Sequence, residues 1–304
     1  MKIGRSEPQF VEVQVNGHGG IDFLSANSTE EIRTASRSLF RHGVVAYLPT
    51  LITSRPEEFL RAAALIEEVR ANPLAEEAKI LGIHVEGPYI SLEKRGVHPA
   101  DKVRKPDIEE FKKYISAAKI SMVTIAPELD GALDFVKFAV DNGIVVSLGH
   151  SMATDTQAHA AFDAGATTVT HIWNAMRKLH DEIHGVGHAG LERDDIVIQI
   201  IVDDLHVDRA TVKETLNMAK GRFILTNDAV APAGLGDGQF NFGDMQIKVA
   251  DGQARRLDGT LAGGIGTLAQ SLAIVKELGV SESDAIASVT TRPLELMSKS
   301  KVVR

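Results

Sequence analysis

Ile196-Val-Ile-Gln-Ile-Ile-Val202, Asp208-Arg-Ala-Thr-Val-Lys-Glu214 and Phe223-Ile-Leu-Thr226 follow one another in the chain, and their reading decides the fold. The first and last are β-branched and apolar almost throughout, as strands covered on both faces are. The middle segment opens on an acid that can accept from the free N–H groups of a first helical turn. Strand, helix, strand in that order is one unit of a parallel sheet. The same alternation runs outward from it. Further short apolar runs stand at Phe10–Val15, Val44–Leu48, Ile80–Val85, Met122–Ile125, Ile144–Leu148 and Thr168–Thr170. Ser28-Thr-Glu-Glu31, Ser54-Arg-Pro-Glu57 and Asp107-Ile-Glu-Glu110 each set a capping oxygen and first-turn acid before a helical pattern.

Eight such runs predict an α/β fold, a (β/α)8 barrel of the TIM type. The rival, an open doubly wound sheet, needs a Gly-rich phosphate loop after its first strand. Asn16-Gly-His-Gly-Gly20 stands there, but it is not G-x-G-x-x-G and no helix follows at once. The 304 residues contain no repeat, low-complexity tract or Pro/Ser-rich linker. One catalytic barrel over 1–304 is therefore expected, with a hairpin excursion around 235–260 and one more helix pair to close the ring.

Composition narrows the function classes. With 44% hydrophobic and 24% charged residues the chain reads as globular. A formal net charge of -8 repels nucleic-acid phosphates and anionic lipid, so neither partner is expected. No stretch approaches the roughly 18 apolar residues of a spanning helix, and the first ten residues lack a signal-type apolar core, which predicts a cytoplasmic protein. Cysteine is absent, so a transition-metal site would have to use His and carboxylates.

Functional side chains of such barrels gather where the strands end. Four predicted strands end on metal-type or acidic groups: His84-Val-Glu86-Gly-Pro88, Gly149-His150-Ser151, Thr170-His171-Ile-Trp-Asn174 and Thr226-Asn227-Asp228. Two imidazoles and a carboxylate converging on the barrel mouth suit one divalent ion, with Zn²⁺ first and Fe or Mn fitting the same donors. Asp228 beside them is suited to move a proton. A single buried histidine is more often structural than a ligand, and Asp228 could simply cap a turn before Pro232. Four coincidences at equivalent strand ends favour the metal reading.

Ordered segments from about residue 10 to 297 carry a resemblance. They include Gln14-Val-Asn-Gly-His-Gly-Gly-Ile-Asp22, Leu48-Pro-Thr-Leu-Ile-Thr53, His84-Val-Glu-Gly-Pro-Tyr89, Ala126-Pro-Glu128, His171-Ile-Trp-Asn-Ala-Met176, Asp204-Leu-His-Val-Asp208, Asp228-Ala-Val-Ala-Pro-Ala-Gly234 and Gly259-Thr-Leu-Ala-Gly263. On these the chain resembles the N-acetylglucosamine-6-phosphate deacetylases of the amidohydrolase superfamily. The resemblance implies a metal on Glu86, His150 and His171, Asp228 as acid/base, and His98 polarising the acetyl carbonyl. It also implies sugar and phosphate contacts at His206 and at the Asn174-Ala175 backbone. The implied reaction is hydrolysis of the N-acetyl amide of an amino sugar, a 6-phosphate in the first instance.

Departures from the family pattern qualify this. Gln14 and Asn16 stand where many superfamily members carry His-x-His, and neutral amides are poor ligands, so one catalytic metal is expected. His18 nearby reads as a loop or substrate contact. In Arg177-Lys-Leu-His-Asp-Glu-Ile-His-Gly185, Glu182 falls where the family has a phosphate-binding arginine, so Arg177 or Lys178 takes that role or the substrate carries no phosphate. His180, His184 and His188 are not H-E-x-x-H, and Gly185 and Gly187 oppose a continuous helix. The family's flanking β-sandwich has little room at either end, so a bare barrel, buried at its uncovered edge in a homodimer, is expected. Two other readings stand beside the first: a relative acting on a non-phosphorylated N-acyl sugar or amide, and a weakly active sugar-binding barrel.

Overall fold

The computed structural model describes residues 9–243 and 245–298. Fourteen strands are present among them: β1 Phe10–Val15, β2 Gly17–His18, β3 Ile21–Asp22, β4 Val44–Ile52, β5 Lys79–Ile80, β6 Ile83–Glu86, β7 Ile120–Ile125, β8 Val145–Leu148, β9 Thr168–Val169, β10 Val197–Ile200, β11 Phe223–Leu225, β12 Gly238–Phe242, β13 Met245–Ala250 and β14 Gln253–Arg256. The ten α-helices are α1 Thr29–Arg41, α2 Pro56–Ala71, α3 Ile108–Ala117, α4 Ala132–Asp141, α5 Asp155–Asp163, α6 Val186–Glu192, α7 Arg209–Ala219, α8 Leu268–Glu277, α9 Glu282–Val289 and α10 Thr291–Ser298. Eight strands pair in parallel in the order β1-β4-β6-β7-β8-β9-β10-β11, with helices between them, giving the nearly closed barrel that the apolar runs predict.

The ring is not closed by a ladder. β11 meets β1 through one bridge, Val15 to Ala229, where Asn16 N–H donates to the Ala229 carbonyl at 2.7 Å. Glu12 reinforces this seam from inside. Its carboxylate accepts from Val13 N–H at 3.0 Å, Gln14 N–H at 3.3 Å, the Thr226 hydroxyl at 2.6 Å and Asn227 N–H at 3.1 Å. Burial pushes its carboxyl up to about 7, although these donors pull the other way.

The barrel interior changes character along its axis. Val13, Leu48, Met122, Val145 and Ile224 form an apolar cluster with Leu296 of α10. Toward the other end lies a hydroxyl and imidazole layer. His84 Nδ1 meets Thr50 Oγ1 at 3.2 Å and its Nε2 meets Thr124 Oγ1 at 2.8 Å, while Thr124 reaches Thr170 at 2.7 Å. Outside, α1 shows why the helices pack: Ile32, Ala35, Ser36 and Leu39 recur at helical spacing and are buried, and Ser28 caps its first turn by accepting from Glu31 N–H. Each large apolar side chain buried this way contributes about 1.5–3 kcal/mol.

Three local expectations are corrected. Ile80–Val85 is not one strand: Gly82, at φ +148°, divides it, so that β5 and β6 meet β4 separately. The second helix starts at Pro56 with Arg55, not Ser54, as its cap residue, and the Glu58 carboxylate accepts from Arg55 N–H at 2.8 Å. Beyond β11 lies a three-stranded antiparallel sheet, β12-β13-β14, followed by three helices rather than two.

Candidate active site

The strand ends of β6, β8, β9 and β11 bring four side chains to one cavity of about 310 Å³. Glu86 ends β6. His150 and His171 follow β8 and β9 after short extensions, and Asp228 follows β11. His150, His171 and Asp228 have φ of +49°, +26° and +49°. Such left-handed backbone costs a non-glycine residue on the order of 1–3 kcal/mol, a strain that concentrates at functional sites.

Glu86, His150 and His171 lie together, all three buried. Glu86 Oε1 is 3.0 Å from His171 Nε2 and 3.3 Å from His150 Nε2, and the two imidazole nitrogens are 3.2 Å apart. Three electron-pair donors this close repel unless a proton or a cation lies between them. His150 Nδ1 donates to the Lys94 carbonyl at 2.8 Å, which leaves the Nε2 lone pair directed at the cluster. Ligating histidines are characteristically fixed this way. The donor set and this second hydrogen bond fit a divalent ion, and the cluster could hold one metal. Burial would raise the Glu86 carboxyl, but the imidazoles of His150 and His171 beside it outweigh burial and hold Glu86 well below the usual range.

Asp228 stands beside the cluster. Burial first, and then the charge of Glu86, push its carboxyl up to about 8 in the metal-free site. Gln14 Nε2 donates to Glu86 Oε1 at 2.8 Å and to Asp228 Oδ1 at 2.9 Å, and Asn16 Nδ2 donates to Asp228 Oδ1 at 2.7 Å. Carboxylates accept, so the amide nitrogens must face them; Gln14 and Asn16 serve as fixed N–H donors and orient Asp228. The sequence flagged both only as poor ligands. Their positions two apart at the end of β1 were the signal for a shared contact.

His98 lies across the cavity, its Nε2 3.9 Å from Glu86 Oε2. Its Nδ1 accepts from Thr53 N–H at 3.3 Å, so the ring's own proton sits on Nε2. Burial, followed by repulsion from His150, pushes His98 down to about 3 and keeps it a neutral N–H donor. Asn174, Ala175 and His206 also line the cavity. His206 Nδ1 is held by Asp203 Oδ2 at 2.7 Å, and Ala175, at φ +51°, accepts from Ser151 N–H at 3.0 Å. Thr53, Asp203 and Glu128, which accepts from Ser151 Oγ and Met152 N–H, were not singled out individually by sequence reasoning.

His18 points elsewhere, with its Nδ1 2.9 Å from Ser38 Oγ. His188 belongs to α6 and stacks on exposed His184 at 4.0 Å, while exposed His180 faces Glu214. Among the described residues Glu86, His150 and His171 are the one grouping fit for a metal. A larger, mostly apolar groove of about 490 Å³ adjoins the cavity at Leu261 and Gly263 without such a grouping. No helix among the described residues is long and apolar enough to cross a membrane.

Fold and site together define an amidohydrolase-type barrel with a candidate metal centre at its mouth. No family model matches the chain. It is 35% identical over 251 residues to N-acetylglucosamine-6-phosphate deacetylase of Mus musculus and 34% identical over 238 residues to that of Vibrio furnissii. A mutant N-acetyl-D-glucosamine-6-phosphate deacetylase from Mycobacterium smegmatis, in complex with N-acetyl-D-glucosamine-6-phosphate, superposes with a TM-score of 0.89 at 34% identity, covering 96% of this chain and 77% of that one. The Thermotoga maritima deacetylase gives 0.87 at 30% identity, covering 96% and 78%. The chain belongs to the N-acetylglucosamine-6-phosphate deacetylase family. The match covers 78% of this chain and spans about 60% of the length of the mouse and Vibrio relatives.

Proposed function

We propose that the chain hydrolyses the N-acetyl amide of an amino sugar 6-phosphate, releasing acetate and the free amine. The reading is supported above all by the 3.0–3.3 Å convergence of Glu86, His150 and His171 with Asp228 beside them, on the fold of that family. Those three residues would hold one divalent ion, zinc in the first instance, with iron or manganese suiting the same donors. Such an ion supplies Lewis acidity, making water a stronger acid and an amide carbonyl a stronger electrophile.

The chain's own groups do the rest. Asp228, aimed by the N–H groups of Gln14 and Asn16, takes the proton of the attacking water and returns it to the departing amine nitrogen, without which the C–N bond would expel a poor leaving group. His98 presents its Nε2–H to the acetyl oxygen as negative charge grows there. His206 and the Asn174–Ala175 turn hold the sugar, and burial of the reacting side keeps bulk water from competing.

The test is acetate release from N-acetylglucosamine-6-phosphate by the metal-loaded protein, with its metal content measured. Asp228→Asn should lower kcat by about 10²–10⁴-fold while keeping the metal. Unchanged turnover by Asp228→Asn would overturn the mechanism.

We propose a homodimer as the assembly, which sedimentation of the free protein reads directly.

A further inference from the structure

The larger groove beside the cavity, of about 490 Å³, shares Leu261 and Gly263 with it. Gly263 stands at the working end of Asp228. Gln14 and Asn16 both donate to Asp228 Oδ1, which leaves Oδ2 for the proton of the reaction. A side-chain carbon at Gly263 would lie 3.5 Å from Oδ2 and only 2.5 Å from the Asp228 carbonyl, so it takes a glycine, here at φ +78°, to bring this wall so close. The groove thus opens beside the atom that must reach the amide.

Its lining says what it takes. Val202, Ala254, Leu261, Ile265, Ala273 and Ile274 give it an apolar surface, and among the described residues no lysine, arginine or histidine lines it. Its polar side chains already have partners within the protein. Asp203 Oδ2 is 2.7 Å from His206 Nδ1, Gln253 Oε1 accepts from Arg255 Nε at 2.9 Å, Gln270 Oε1 accepts from Thr267 N–H at 2.8 Å, and the Ser271 hydroxyl donates to Asn227 Oδ1 at 3.1 Å. A second sugar would find few free partners there, whereas a hydrocarbon chain gains by leaving water. At the acyl carbon the oxygen turns to His98 and the nitrogen carries the sugar toward Asn174 and Ala175. The remaining substituent is the alkyl end, and the Gly263 wall is where it is free to extend.

We infer that the groove is an acyl-chain subsite, which admits amino sugar 6-phosphates N-acylated with straight chains longer than acetyl. The inference rests on the deacetylase reading for the reaction. The oxygen of water joins the acyl carbon as the C–N bond breaks, and the amine nitrogen takes the proton through Asp228. The products are a longer carboxylate and the same free amine.

Calorimetric titration of the metal-loaded Asp228→Asn protein with N-acetyl-, N-butyryl- and N-hexanoylglucosamine 6-phosphate tests it, beside release of the matching acids by the wild type. Each methylene should tighten binding about threefold in a half-open groove, so N-butyryl should bind about tenfold more tightly than N-acetyl and N-hexanoyl more tightly again. Adding Ala273→Trp, which plugs the groove from an exposed position of α8, should bring the N-hexanoyl to N-acetyl ratio back to within about twofold. Ala273→Glu, a good helix former, sets a carboxylate in the same space and should do likewise should tryptophan disturb the helix. Longer chains that bind no more tightly than acetyl, with acetate still released, overturn the subsite and leave the deacetylase reading standing. A gain for the butyl glycoside of N-acetylglucosamine 6-phosphate in place of the acyl chains overturns it in favour of the anomeric substituent. Ala273→Trp that alters sedimentation while leaving the ratio unchanged overturns it in favour of a second copy of the chain. A wild type that releases no acid from any of the three, yet shows the gain and its loss in Ala273→Trp, would refute the deacetylase reading and keep the subsite.

Discussion

The cavity has two sides built on different terms. On the strand-end side, Glu86, His150, His171, His98 and Gln14 are all buried, and hydrogen bonds with Gln14, the Lys94 carbonyl and Thr53 N–H orient Glu86, His150 and His98. On the loop side, Lys94 is half-buried, Lys178 is exposed, and Glu182 touches nothing in the cavity. Substitutions on the first side therefore act on chemistry and metal retention, where low dielectric and fixed geometry amplify each contact. Those on the second act on affinity, because exposed long side chains pay entropy and are screened.

Three measurements probe this contrast. His98→Asn removes the Nε2–H donor and should cost about 10²–10³-fold in kcat with KM nearly unchanged, read from acetate release. A rise in KM alone would move His98 to the binding side. Glu12→Gln tests the joint beneath Asp228. The Glu12 carboxyl is raised to about 7 in the fold, against about 4.3 in an unfolded chain. A carboxyl raised on folding stabilises while protonated: the contribution is complete below about pH 4.3 and is lost as pH rises through about 7. Wild type should thus lose melting temperature between pH 5 and 8, and Glu12→Gln should show a shallower decline over the same range in thermal scans. The smallest effect is expected from Glu182→Ala: less than about threefold in kcat/KM on the phosphorylated sugar, as for other exposed charges. A larger change would place Glu182 at the anion.

The strand-end side was legible because each ligand follows an apolar run, at the end of a parallel barrel where functional side chains gather. Glu86, His150, His171 and Asp228 are all found that way. Glu12 was not. In Phe10-Val-Glu-Val-Gln-Val15 an acid between valines reads as a solvent-facing position of an alternating strand, yet all six residues are buried. Its partners, Thr226 and Asn227, lie more than two hundred residues away, beyond any local pattern. Alignment put Glu182 in place of an arginine, but loop shape, which residue types alone do not specify, turns it outward and leaves the cavity wall to Lys94. The division of Ile80–Val85 follows from a backbone torsion at Gly82. Glycine permits that torsion, and its sequence neighbours do not announce it.

The seam between β1 and β11 has a consequence for how the molecule comes together. Gln14 and Asn16 sit on one lip and Asp228 on the other, and a side-chain carboxylate does the work that a ladder does elsewhere in the ring. The first and last staves of the barrel must be drawn shut before the proton carrier acquires its orienting amides. A chain still open at that joint can own all its ligands and remain inert, so competence arrives with the final act of closure.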